Sequence, residues 1–173
     1  MSAARARRGN LYLRVVATVM IAIILHVFMN AGWAWLWVGS YAAAQLVELV
    51  LIRQMLRQPH PGRVLRFAVA AMPAITSIIF GFLSLPLFAS SVRFAPTLGG
   101  LLLAGALLNV IVVNASLRSA TISAAAPHLV YLLAAPFVAR AANPQAPLAN
   151  ALWFGVLLLI VSVFVAARTL ERA

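Results

Sequence analysis

Six long apolar runs constrain this chain more than any other feature. They fall at residues 13–29, 33–52, 67–90, 98–115, 120–139 and 148–169. A helix needs about 20 predominantly apolar residues to cross the hydrocarbon of a bilayer, and each run is long enough or nearly so. The breaks between them are short: Asn30-Ala31-Gly32, Arg53 to Arg66, Ser91 to Thr97, Ser116 to Ser119, and Arg140 to Pro147. Connections this short join antiparallel neighbours. The expected fold is therefore an all-α integral membrane protein, a bundle of six transmembrane helices. Residues 1–12 form a basic N-terminal segment, 13–169 the membrane domain, and 170–173 the start of an exit helix.

Composition agrees. The chain is 65% hydrophobic and only 9% charged, where soluble domains carry about a quarter charged residues. Its 13 basic residues are all arginine, and its two acidic residues are Glu48 and Glu171. A net charge of +11 could point to nucleic acid. The arginines, however, do not form one dense patch; they sit between the apolar runs, where topology signals belong, and no nucleic-acid partner is expected. With the N-terminus cytoplasmic, 11 arginines fall on the cytoplasmic side and only Arg93 and Arg140 on the other. Both termini are then cytoplasmic, and the expected location is a bacterial inner membrane crossed many times. The opening segment has the basic-then-apolar look of a signal peptide, but "MNAGWAWLW" follows it with bulky tryptophans where a cleavage site needs small residues. It is read as a first span. Trp33, Trp35 and Trp37 would sit at the outer interface. The basic loop "RQMLRQPHPGRVLR" reads as a topology anchor touching anionic headgroups, and His60 within it as a solvated loop residue.

Polar groups inside spans are costly and face protein or a water-filled cavity. Gln45, Glu48, Asn109 and His128 are the candidates. Counted from the span ends at about 1.5 Å per residue, all four lie roughly 6–12 Å below the cytoplasmic surface, so they are expected to meet in one layer. Tyr41, Gln45 and Glu48 share a helical stripe. Asn109 shares one with Gly105 and Ser116, and His128 follows the small residues Ala124 and Thr121. Pro127 removes a backbone donor beside the histidine. Two readings of the layer stand: hydrogen-bonding glue that fixes helix register, or a site responsive to a ligand or proton. Ser116, Arg118 and Ser119 form the expected cytoplasmic turn, with Arg118 able to reach Glu48 or the headgroups. Gly100 and Ala104 look like a small-xxx-small packing pair. Phe80, Phe82 and Phe88 are expected to face lipid or pack, and His26 to be a lone interfacial histidine.

Catalytic chemistry is missing from the pattern. No aspartate occurs, so neither a phospho-aspartate nor an aspartate-bound magnesium is available. No phosphate loop or nucleophile elbow is present, the three histidines lack the spacing of a helical zinc pair, and cysteine is absent. No enzyme, metal or cofactor is expected.

"YAAAQLVELVLIR" followed by "LLLAGALLNVIVVNASLRSATISAAAPHLVYLL" resembles the amino-terminal membrane region of a group of bacterial hybrid sensor histidine kinases, in which six helices precede a signalling helix and the kinase core. Gln45, Glu48, Asn109, Ser116, Arg118, Ser119, Pro127 and His128 carry the resemblance, and "VAARTLERA" resembles the start of the exit helix. The H-E-x-x-x-P phosphoacceptor box and the ATP-binding domain are missing. The resemblance implies a sensory input module in a two-component system, without its output, whose partners would be the bilayer, a second copy, or a kinase in the membrane. The rival expectations are a small transporter or permease subunit, for which Pro73, Pro86 and Pro127 supply helix breaks, and a structural assembly partner.

Overall fold

The computed structural model describes residues 11–114, 118–144, 153, 155–158 and 160–161. Nearly all of them are helical, and no strand occurs among the described residues. The elements are α1 (Leu11–Met29), α2 (Ala34–Arg57), α3 (Arg63–Phe82), α4 (Ser84–Phe88), α5 (Ala95–Asn114) and α6 (Arg118–Ala142). Among the described residues, four stretches are long and apolar enough to cross a membrane: Tyr12–Met29, Ala34–Arg57, Arg63–Phe88 and Thr121–Ala142. Ala95–Ile111 is a shorter apolar helix. The expected sixth span, residues 148–169, falls mostly outside the described residues, as does the exit helix; Trp153, 155–158 and 160–161 are helical.

The chain divides into two compact units between Phe80 and Gly81. In the first, α1 and α2 pack as a hairpin. Asn30 makes its turn with φ of 50°, a left-handed conformation that asparagine tolerates better than most residues, and the Ala31 N–H donates to the Leu25 carbonyl at 3.3 Å. The hairpin's inner faces are Thr18, Ala22 and Leu25 on α1 and Ala34, Trp37, Tyr41, Ala44, Gln45, Glu48 and Ile52 on α2. Both recur at helical spacing, which lays each set along one stripe. α2 ends because Gln58 turns extended, with ψ of 122°, as a residue preceding proline tends to do.

Trp37 departs from the interfacial expectation. It is 5% exposed, whereas Trp33 and Trp35 are 37% and 44% exposed. Its indole Nε1 donates to the Ile79 carbonyl at 2.8 Å, and its ring lies 5.8 Å from Phe80 and 6.2 Å from Tyr41. The start of α2 thus meets the end of α3, so these two helices run antiparallel. A buried indole must find an acceptor, and this one takes a backbone carbonyl across the helix pair. His26 is not alone: its ring is 6.2 Å from Trp35.

In the second unit, α4, α5 and α6 pack on one another around Phe88, Leu103, Leu107, Val110, Ala124, Ala125, Leu132, Ala135 and Val156. The expected span 67–90 is two helices. Pro73 sits inside α3 without ending it, but the helix breaks at Leu83. Pro86 explains the position, since a proline ring collides with the carbonyl four residues earlier, here Phe82. Ser84 caps the break by donating to the Gly81 carbonyl at 2.6 Å. The packing glycine of α5 is Gly99, whose missing side chain admits Leu87 and Phe88; a Cβ there would lie 3.2 Å from Leu87 Cβ, while Gly100 has open space. The close face is therefore Ala95-Gly99-Leu103-Leu107, one residue away from the expected Gly100-Ala104 pair. One residue on a helix is a rotation of about 100°.

Trp37→Phe keeps most of the ring packing but deletes the only hydrogen-bond donor on that side chain. It is expected to lower unfolding stability in detergent by about 1–2 kcal/mol, while Trp35→Phe stays within about 0.5 kcal/mol. Thermal unfolding followed by circular dichroism checks the contrast.

Candidate functional site

Three of the four polar residues singled out in the sequence are deeply buried: Gln45 is 1% exposed, Glu48 3% and His128 2%. Asn109 is exposed. It falls with Leu101, Gly105 and Leu108 on the outer side of α5, opposite the buried Leu103, Leu107 and Val110. Ser116 lies outside the described residues, and Arg118 and Ser119 open α6.

Gln45 and Glu48 belong to the first unit. They are three residues apart on the buried stripe of α2, continuing the line of Trp37 and Tyr41. The hairpin supplies a polar neighbour by register. Thr18 on α1 and Gln45 on α2 are equally far from the turn at residues 30–33, so antiparallel packing brings them to about the same height. Thr18 is 1% exposed, but its hydroxyl donates to the Val15 carbonyl at 2.8 Å, so its proton is already used within α1. The Gln45 amide nitrogen has no hydrogen-bond partner among the described residues. A buried donor left in this state costs about 1–3 kcal/mol. One turn away, the Glu48 carboxyl group is enclosed to the same degree. Chemically, this stretch of α2 offers an amide donor and a carboxyl group on one buried stripe.

His128 belongs to the second unit, on the face of α6 made by Ala124, Ala125, Leu132 and Ala135. Small residues on that face let neighbours approach closely. The closest approach is at Gly81. A Cβ built there would fall against Tyr131, 2.6 Å from its Cε2, and 3.2 Å from His128 Nδ1. The Tyr131 ring therefore lies in a notch cut by a missing side chain, with the histidine beside it. In the sequence, Gly81 is marked only by its place between two phenylalanines. The Pro127 that precedes the histidine lies within α6, which continues through both it and Pro136.

Among the described residues no group of three histidine, cysteine or acidic side chains could hold a metal ion. No family model matches the chain, and no curated protein or solved structure is significantly similar to it.

Gly81→Ala is expected to cost about 1–3 kcal/mol, because the added methyl must displace the Tyr131 ring. Gly100→Ala and Gly105→Ala, which meet nothing within 4 Å, are expected to be neutral or to stabilise by up to about 1 kcal/mol. Denaturation of the three variants in the same detergent distinguishes the notch from the open positions.

Proposed function

We propose that this chain is a polytopic membrane module that senses or couples a signal, with six spans and both termini in the cytoplasm. The observation that carries the reading is the burial of ionisable side chains inside helices of membrane-spanning length, Glu48 at 3% exposure in the first unit and His128 at 2% in the second. Such groups are costly in a span, and where they persist they commonly mark proton or ligand sites. In this reading a change in protonation or ligation at these groups biases the helices between two arrangements, and the difference is passed to a cytoplasmic partner. A signal can shift such an equilibrium only by its differential affinity for the two states. In this reading, which follows the resemblance to sensor-kinase input regions, the module works in a bacterial inner membrane, beside a second copy or a kinase.

Glu48→Gln tests the role of the charge. An amide can still hydrogen-bond, so a helix that merely needs a polar contact tolerates the change. The sensory reading expects unchanged helix content and a thermal midpoint within a few degrees, together with an altered hydrogen-exchange pattern along α2. An unchanged exchange pattern would reduce Glu48 to a register device and sink the reading.

Topology is tested separately. The 11-to-2 distribution of arginines expects reporter fusions at Arg57 and Asn143 to report the cytoplasmic and the external side respectively. The same side for both would overturn the six-span arrangement.

A small transporter is the second reading, favoured by the helix discontinuity at Leu83, since interrupted helices recur in transport proteins. Proton flux into proteoliposomes carrying the protein, absent from empty vesicles and abolished by Glu48→Gln, would favour it over the sensory one.

A further inference from the structure

We propose that the exposed arginines at one end of the first unit form a binding site for the headgroup of an anionic phospholipid. The proposal rests on the membrane reading but concerns a different part of the molecule from Glu48. Arg53 and Arg57 lie one turn apart at the end of α2, and Arg63 and Arg66 one turn apart at the start of α3; all four are exposed. They share an end of the unit because α2 and α3 run antiparallel, as the bond from Trp37 to Ile79 at the opposite end requires. Four helical residues rise about 6 Å and three about 4.5 Å. The arginines therefore form two tiers, Arg57 and Arg63 beside the connecting loop and Arg53 and Arg66 about 5 Å deeper. The hairpin brings the start of α1 to the same end, with a half-buried Arg14.

Among the described residues, nothing acidic and exposed offsets this charge locally. No acidic residue occurs between Glu48 and Glu171, and Glu48 is only 3% exposed. Helix stability does not explain the arrangement either. α3 has no acidic residue in its first turn, and arginines there oppose the partial positive charge of a helix start. An anion satisfies both. The cations are guanidinium groups throughout, whose planar fork binds two phosphate oxygens at once.

The neighbouring residues choose a lipid over a soluble phosphate. Val64 is 84% exposed and Phe67 76% exposed, interleaved with Arg63 and Arg66 on the first turns of α3. Side chains this apolar are unfavourable against water and favourable against acyl chains. Depth agrees: Arg57 lies about 33 Å along α2 from the exposed Trp35, close to the roughly 30 Å of hydrocarbon in a bilayer. With Trp33 and Trp35 at one interface, the two tiers reach the headgroups of the other.

The test uses the full chain reconstituted into vesicles of equal phosphatidylglycerol and phosphatidylcholine, then extracted in mild detergent, with the retained lipids counted by native mass spectrometry. The wild type is expected to retain phosphatidylglycerol in preference. Each arginine removed is expected to lower that preference about fivefold, so Arg57→Gln with Arg63→Gln nearly abolishes it, whereas Arg93→Gln leaves it intact. Phe67→Ser is expected to reduce retention of both lipids. Should the double variant fail to fold by circular dichroism, Arg66→Gln alone is read by the same ratio. Equal retention of the two lipids by the wild type, or an unchanged ratio in a folded variant, would overturn the proposal. Stripping of the lipid by inorganic phosphate would overturn it in favour of a soluble ligand. Incorporation into pure phosphatidylcholine vesicles separates the two levels: a chain that does not incorporate refutes the membrane reading, and one that incorporates without preference refutes only the site.

Discussion

Hydrocarbon cannot hydrogen-bond a peptide group, and much of this structure follows from that fact. Helices satisfy their backbone internally, and the short polar side chains follow the same rule. Thr18, Ser40, Thr76 and Ser84 each donate to a carbonyl three or four residues earlier in their own stretch of chain. A hydroxyl bonded in this way needs neither water nor a partner helix. It leaves apolar contact to hold the helices together, supplemented by the bond from Trp37 to Ile79.

Against that background Gln45, Glu48 and His128 differ in kind. Their side chains are longer and more strongly polar than a hydroxyl. Each is nevertheless enclosed to 3% exposure or less. Retaining such groups in a chain otherwise so apolar is what supports a role beyond packing.

Much of the helical architecture was legible in the sequence because it rests on run length and on strong breakers. The turn at Asn30, the proline-rich end of α2 and the apolar character of the helices all come from local residues. Rotation about each helix axis was harder to read. Burial of Gln45 and Glu48 follows from their cost in lipid, yet the same reasoning placed Asn109 inside, and it is exposed. One amide can be borne on an outer face when its neighbours are Gly105 and Leu108. Gly99 and Gly100 are adjacent in sequence and both small, and only packing shows which one faces Leu87 and Phe88. Gly81 and Trp37 were obscured for the same reason. Their roles depend on a partner distant in the chain, Tyr131 for one and Ile79 for the other, and no local pattern names it.

The turn at Asn30 bears on how the chain is made. Its left-handed residue and the bond from Ala31 to Leu25 involve only neighbours in sequence, and the α1–α2 hairpin closes over a short loop. Contacts of such low sequence separation form early and quickly. During synthesis, residues 11–57 can pair as soon as they leave the ribosome, before α3 exists. The hydroxyl of Thr18 and the side chains of Gln45 and Glu48 would then enter the membrane already facing a partner helix, so that the most expensive residues of the first unit need never be presented singly to lipid.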